Sequence, residues 1–151
     1  MRKKVILPLC VLYVLALIYF LFVRDRGGVL SNISLRDYIV STSNIIPFKT
    51  IRMYIMAIFD NSMNLDIPIK NLLANLIMFM PYAFFMYEYT KINSRLFFCV
   101  TVSMLLCIET LQMFLRVGMF DIDDIILNGG GAMLAYYILC KWNQSILRKN
   151  G

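Results

Sequence analysis

Glu109, Gln112 and Arg116 recur at spacings of three and four inside an otherwise apolar stretch. A helix would place them on one face. A group of acids, Asp121, Asp123 and Asp124, follows, and Asn128 lies four residues beyond the last of them. Asn71 and Asn75 form another pair four apart. Two kinds of chemistry suit such a set. Carboxylates and amides gathered in one place can hold the polar part of a ligand. Alternatively, two buried carboxylates can act as an acid/base pair, because burial raises one pKa and leaves the other group ionised. Glu109 with Asp123 or Asp124 are the catalytic candidates for that case. The chain has no histidine, which excludes Ser/His/Asp and Cys/His catalysis and His-ligated zinc. The acidic stretch lacks the D-x-D-x-D-G spacing of a calcium loop. No metal and no cofactor is expected, and no nucleophile is evident.

The elements that must position these groups are apolar runs. Of 151 residues, 60% are hydrophobic and 16% charged, against about 45–50% and about 25% in a soluble domain. The charges cluster between the runs. The net charge of +6 sits mostly at run ends, where it anchors helices in a bilayer. No basic stripe with interleaved aromatics is present, so no nucleic-acid partner is expected. Cys10, Cys99, Cys107 and Cys140 all lie within apolar runs and read as small buried residues rather than a disulfide framework.

Four runs predict transmembrane helices over about 5–23, 69–87, 96–115 and 122–140, in a single domain covering 1–151. The first spans roughly 28 Å as a helix, close to the hydrocarbon thickness. It ends in Arg24-Asp25-Arg26. A cleaved signal peptide begins in the same way, but its apolar region is about 7–15 residues and ends in small residues. An uncleaved helix is therefore expected. Residues 24–67 form a long connection, opening with Gly27-Gly28. Within it Ile51, Tyr54, Ile55 and Ile58 recur at helical spacing, with Thr50 a candidate N-cap. This stretch is too short to span and carries Lys49 and Arg52, so it predicts a helix lying in the interface or re-entering it. Pro81 falls inside the second run, and Trp142 is placed as an interface anchor.

The short 116–124 loop holds one Arg against three Asp. Short loops carry most of the positive-inside signal, so this loop is assigned outside and both termini inside. Glu109 then lies roughly 9 Å below the outer boundary. Asn71, Asn75, Asp123, Asp124 and Asn128 belong to the same half of the membrane. Intramembrane ionisable groups are costly and are functional candidates by default. Two readings stand side by side. The groups form one ligand site, or they bond across helices as packing contacts of about 0.6–2 kcal/mol each; the dipole of the fourth helix would favour Asp123 and Asp124 in either case. Gly129-Gly130-Gly131, with Ala135 four residues further, has its own two readings: close helix packing, or local unwinding that frees backbone groups.

Four blocks, in order, resemble the VanZ-like family, named for a teicoplanin-resistance protein. They are Asn44-Ile-Ile-Pro-Phe-Lys-Thr50; Asn71 to Pro81, read as NLLANLIMFMP; Ile108-Glu-Thr-Leu-Gln112; and Phe120 to Asn128, read as FDIDDIILN, followed by glycine. They span about residues 44–140. The resemblance implies a small bacterial multi-pass membrane protein. It adds Pro47, Phe48 and Pro81 to the positions of interest, and its motif positions include Asp121. Its namesake lowers susceptibility to a lipoglycopeptide without altering the peptidoglycan precursor. Tyr82-Ala83 stand where the family usually has Phe-Gly, and Gly129 where it often has Thr.

The combined expectation is an all-α polytopic membrane protein with an interfacial or re-entrant segment in its first extracytoplasmic loop. Its ligand-binding residues are expected to be Glu109, Gln112, Arg116, Asn71, Asn75, Asp121, Asp123, Asp124, Asn128, Pro47 and Phe48. The expected ligand is a membrane lipid or other amphiphile held in an outer-leaflet polar pocket, with reduced lipoglycopeptide susceptibility as the outcome. An intramembrane carboxylate enzyme acting on a lipid-linked substrate is the rival reading. A transporter subunit would need more helices than one chain supplies, and homo-oligomerisation stays open.

Overall fold

The computed structural model describes residues 2–23 and 33–149. The charged stop at Arg24, Asp25 and Arg26, and the Gly27-Gly28 pair, lie outside the described residues. Helix α1 (Arg2–Ile18) continues through a π-helical turn at Tyr19–Val23. The long connection holds two short helices, α2 (Leu35–Thr42) and α3 (Lys49–Asp60). The second apolar run forms α4 (Asp66–Met78) and α5 (Met80–Thr90). The third forms α6 (Ser94–Phe114), and the fourth opens α7 (Ile122–Lys149), a helix of 28 residues. Lys4–Val23, Asp66–Thr90 and Ser94–Phe114 are each long and apolar enough to cross a membrane. The fourth expected span, 122–140, falls within α7. Val5, Leu12 and Leu15 on α1 are each at least 60% exposed. A helix that is apolar all round and largely uncovered requires lipid rather than water around it. The chain is an all-α membrane protein.

Local chemistry sets the helix boundaries. Ser34 caps α2, its Oγ accepting from the Asp37 N–H at 3.1 Å. Asn93 caps α6, its Oδ1 accepting from the Leu96 N–H at 2.8 Å. The second run is not one continuous helix. Pro81 cannot donate, and its ring crowds the carbonyl four residues back, so the helix breaks at Phe79. The Met78 carbonyl at the break accepts from the Tyr13 hydroxyl at 2.9 Å, tying α1 to it. At the end of α6 the Val117 N–H bonds the Gln112 carbonyl at 3.0 Å and the Arg116 N–H bonds that of Met113 at 3.2 Å. This pair of bonds is a Schellman motif. Its left-handed residue, Arg116 at φ 55, is not glycine.

Helix α7 packs against α4, α5 and α6. The core runs along it through Phe79, Ala83, Phe97, Leu105, Ile125, Ala132 and Tyr136. The rings of Phe97 and Tyr136 stack with centroids 4.0 Å apart, and the Tyr136 hydroxyl bonds the Ile92 carbonyl at the far end of the bundle. Gly131 serves close packing: a Cβ there would lie 1.8 Å from the Leu76 carbonyl oxygen of α4. The helix is continuous through all three glycines, so the unwinding expected as an alternative does not occur. Where α7 begins, α6 ends and α3 begins as well. That end of the bundle carries the polar groups.

Candidate functional site

The site is built where α3 meets α7. Asn44 and Asp121 pair in a parallel backbone bridge. The Asn44 N–H donates to the Phe120 carbonyl at 2.7 Å, and the Asn44 carbonyl accepts from the Ile122 N–H at 2.9 Å. The Asn44 side-chain amide donates to Asp121 Oδ1 and to Thr50 Oγ1, each at 2.9 Å. Asp121 Oδ1 also accepts from the Asp123 N–H at 2.9 Å, and its Oδ2 accepts from the Thr50 hydroxyl at 2.7 Å. Asp121 therefore caps α7 while anchoring the loop that leads into α3.

Asp123 lies in the first turn of α7 but caps α3. Its Oδ1 accepts from the Phe48 N–H at 2.5 Å, and its Oδ2 accepts from those of Thr50 at 2.7 Å and Ile51 at 3.1 Å. Asp123 is fully buried. Taking a carboxylate out of water costs several kcal/mol even after relaxation. Three charge-assisted bonds of roughly 1.5–3 kcal/mol each offset it, aided by the positive end of α3. Thr50 does not cap α3. The cap position is Phe48, in the left-handed region at φ 65 and with no side-chain bond of its own. This conformation costs a non-glycine residue on the order of 1 kcal/mol and directs the Phe48 N–H at Asp123.

Glu109 on α6 is buried, and its Oε2 accepts from the Asp121 N–H at 3.2 Å. It thus joins α6 to the start of α7. A second network adjoins the first. The Asn75 amide on α4 donates to Asp124 Oδ1. The Asn128 amide donates to the Asp124 carbonyl at 2.7 Å, while Asn128 Oδ1 is buried and accepts no hydrogen bond among the described residues. Tyr54 faces this region from α3. Burial, and then the charges of Asp124 and Asp121, push its phenol pKa above the usual value.

Three expected site residues lie elsewhere. Asn71 is exposed and donates to the Ile67 carbonyl of its own helix at 2.8 Å. The Gln112 amide goes to the Leu21 carbonyl at 2.8 Å, tethering α6 to the end of α1. Arg116 does not continue the Glu109 face, because α6 ends at Phe114. Its guanidinium stands 5.7 Å from the ring centre of Tyr38 on α2. Pro47 and Phe48 line an open groove of about 630 Å³ on the other side of α3, together with Arg52, Met53 and Met56. Asn44 and Thr50 are central to the network but were not among the expected ligands. The sequence marks Asn44 only as a member of the Asn44–Thr50 block, and Thr50 as a member of it and a candidate N-cap.

The arrangement does not favour proton transfer through Asp123, whose two oxygens are occupied by backbone donors. Among the described residues no group of three or more His, Cys, Asp or Glu is placed to hold a metal ion. What the geometry offers is a short helix, α3, pinned by carboxylates, and a buried acceptor on α7 that has no donor among the described residues.

A family model described as VanZ/LLP1 matches residues 10–146. Comparison with curated proteins found no match, and neither did comparison with solved structures.

Proposed function

The chain belongs to the VanZ/LLP1 family, and we propose that it binds an amphiphile or envelope lipid between α4 and α7, so lowering susceptibility to teicoplanin-type lipoglycopeptides. The observation that carries this reading is Asn128. Its Oδ1 is buried and has no hydrogen-bond partner among the described residues, one helical turn from Asp124, which accepts from Asn75. A buried acceptor without a donor costs about 1–3 kcal/mol. A ligand hydroxyl, amide or ammonium placed there would remove that cost and would also meet Asp124.

In this reading α1, α4 with α5, α6 and α7 all cross the bilayer, with both termini in the cytoplasm. Lys91, Arg95 and Lys141 then fall at the inner end of the bundle, and the Asp121–Asp124 block falls at the outer end. Helix α3 lies along the outer interface. Phe59 is 82% exposed, Ile45 72%, Phe48 61% and Met56 51%, an apolar surface that calls for lipid contact. The buried acceptor would take the polar part of the ligand, and the pinned helix would hold that end of the bundle at the interface.

Expression in a teicoplanin-susceptible bacterium tests the reading. The wild-type chain should raise the inhibitory concentration of teicoplanin, and Asp124→Ala should abolish the rise with membrane levels retained. Glu109→Gln separates binding from acid/base catalysis: the isosteric amide keeps a neutral contact and removes proton transfer, so retained protection favours binding. No protection from the wild-type chain at matched expression would refute the antibiotic part of the proposal.

A further inference from the structure

The open groove on the far side of α3 belongs to neither polar network. Lys49, Arg52, Met53, Met56, Ala57 and Asp60 all line it. Their spacing of three, four, seven, eight and eleven residues from Lys49 identifies one helix face. The face is graded along its length: two cations at the start, two methionines and a buried alanine in the middle, and an acid at the end. Lys49 and Arg52 stand in the first turn, where the helix dipole disfavours cations. Helix stability therefore does not account for them. The backbone N–H groups of Phe48, Thr50 and Ile51 go to Asp123 and that of Lys49 to the Ile46 carbonyl, so the positive charge facing the groove is that of the side chains. Methionine is unbranched and adapts to flexible partners. Met53 and Met56 are about half exposed and Phe48 more so, so the groove is open to its surroundings.

The geometry points to a second lipid site on this face, holding an anionic phospholipid with its phosphate between Lys49 and Arg52 and its acyl chain along Met53, Met56 and Ala57. The inference rests on the reading that α3 lies at the membrane interface. Charge complementarity selects the headgroup. Asp60 fixes the direction, because its carboxylate accepts from the Ser62 N–H at 2.9 Å and repels a phosphate from that end. The bilayer supplies the acyl chain.

The chain has a single tryptophan, Trp142, so a fluorescent probe can be placed in the groove by combining Trp142→Phe with Met56→Trp. This protein is reconstituted into bilayers that contain brominated phosphatidylglycerol or brominated phosphatidylcholine with the same acyl chains. Quenching should be stronger with phosphatidylglycerol, corresponding to about thirtyfold preference, since each Lys or Arg near an anionic surface gains roughly fivefold. Lys49→Gln with Arg52→Gln should abolish the preference and leave quenching by phosphatidylcholine unchanged. Repeating the measurement with Met53→Trp as the probe guards against disturbance at position 56. Equal quenching by the two lipids would overturn the anionic site while leaving α3 at the membrane. Absence of quenching by either lipid would overturn the site and the interfacial placement together. Low quenching with crosslinking between copies would assign the groove to a second copy of the chain, and would equally overturn the lipid site.

Discussion

Asp123 and Phe48 are separated by 75 positions in the chain, yet the carboxylate of one accepts the backbone N–H of the other at 2.5 Å. The first turn of α7 therefore holds the start of α3. Phe48, whose N–H is held inside by Asp123, also lines the open groove outside. The acidic block is first a positioning device, and the binding surface follows from what it positions.

Asp123→Asn should release α3. The amide NH2 would confront backbone donors, and breaking a buried charge-assisted set costs on the order of 3 kcal/mol. Hydrogen exchange should accelerate at Phe48, Thr50 and Ile51, with a lower melting temperature in detergent. Unchanged protection at these three amides would show that the loop is held by other contacts.

The glycines should divide sharply. Gly131→Leu has no room, because even a Cβ would fall 1.8 Å from Leu76 backbone oxygen, and the protein should fail to assemble. Gly130→Ala meets nothing within 4 Å. It should be neutral, or stabilising by up to about 1 kcal/mol through helix propensity. Thermal stability in detergent reads both, and equal behaviour of the two variants would contradict the α4–α7 packing.

Reporter fusions read the topology. A fusion after Gly151 should report cytoplasmic and one at Met119 extracytoplasmic, because the 116–124 loop carries one Arg against three Asp. A cytoplasmic signal at Met119 would place the polar networks on the wrong side for an external antibiotic.

Spin labels test the placement of α3. Labels at Met53 and Met56 should read interfacial depth and resist a water-soluble quencher. A label at Ile51, which is half-buried on another face, should be shielded by protein. High aqueous accessibility at Met53 and Met56 would make the segment an ordinary solvated connection.

The parts legible in the sequence are those set by local pattern. The third run, read as 96–115, is α6 over Ser94–Phe114, because a long apolar stretch bounded by a capping Asn is a local signal. Pro81 was visible inside the second run, but the helix breaks two residues earlier, at Phe79, where the missing donor and the ring act on the preceding turn. Helix α2 was missed. It is only eight residues of mixed polarity, although Ser34 and Asp37 have the S-x-x-D spacing of a capping box. Spacing alone extends the Glu109 face to Arg116, and spacing cannot reveal that the helix ends first.

The long-range bonds were the least legible. Nothing in local periodicity pairs Asn44 with Asp121 across 77 positions, or Thr50 with Asp121 across 71. The carboxylates were recognisable as a set because acids are costly in apolar runs. Which of them caps a helix and which accepts from the Asn75 amide depends on packing between helices.

The most direct test of the binding account is mass spectrometry of the purified protein, comparing wild type with Asn128→Leu. Leucine has similar volume and removes the unpaired acceptor. If a ligand donor belongs there, wild type should retain through purification an amphiphile that Asn128→Leu loses, both proteins also carrying Lys49→Gln and Arg52→Gln so that the α3 groove does not select a lipid of its own, with thermal stability unchanged or raised by Asn128→Leu. The account is contradicted if wild type carries no amphiphile above a detergent blank, or if Asn128→Leu retains it at wild-type occupancy.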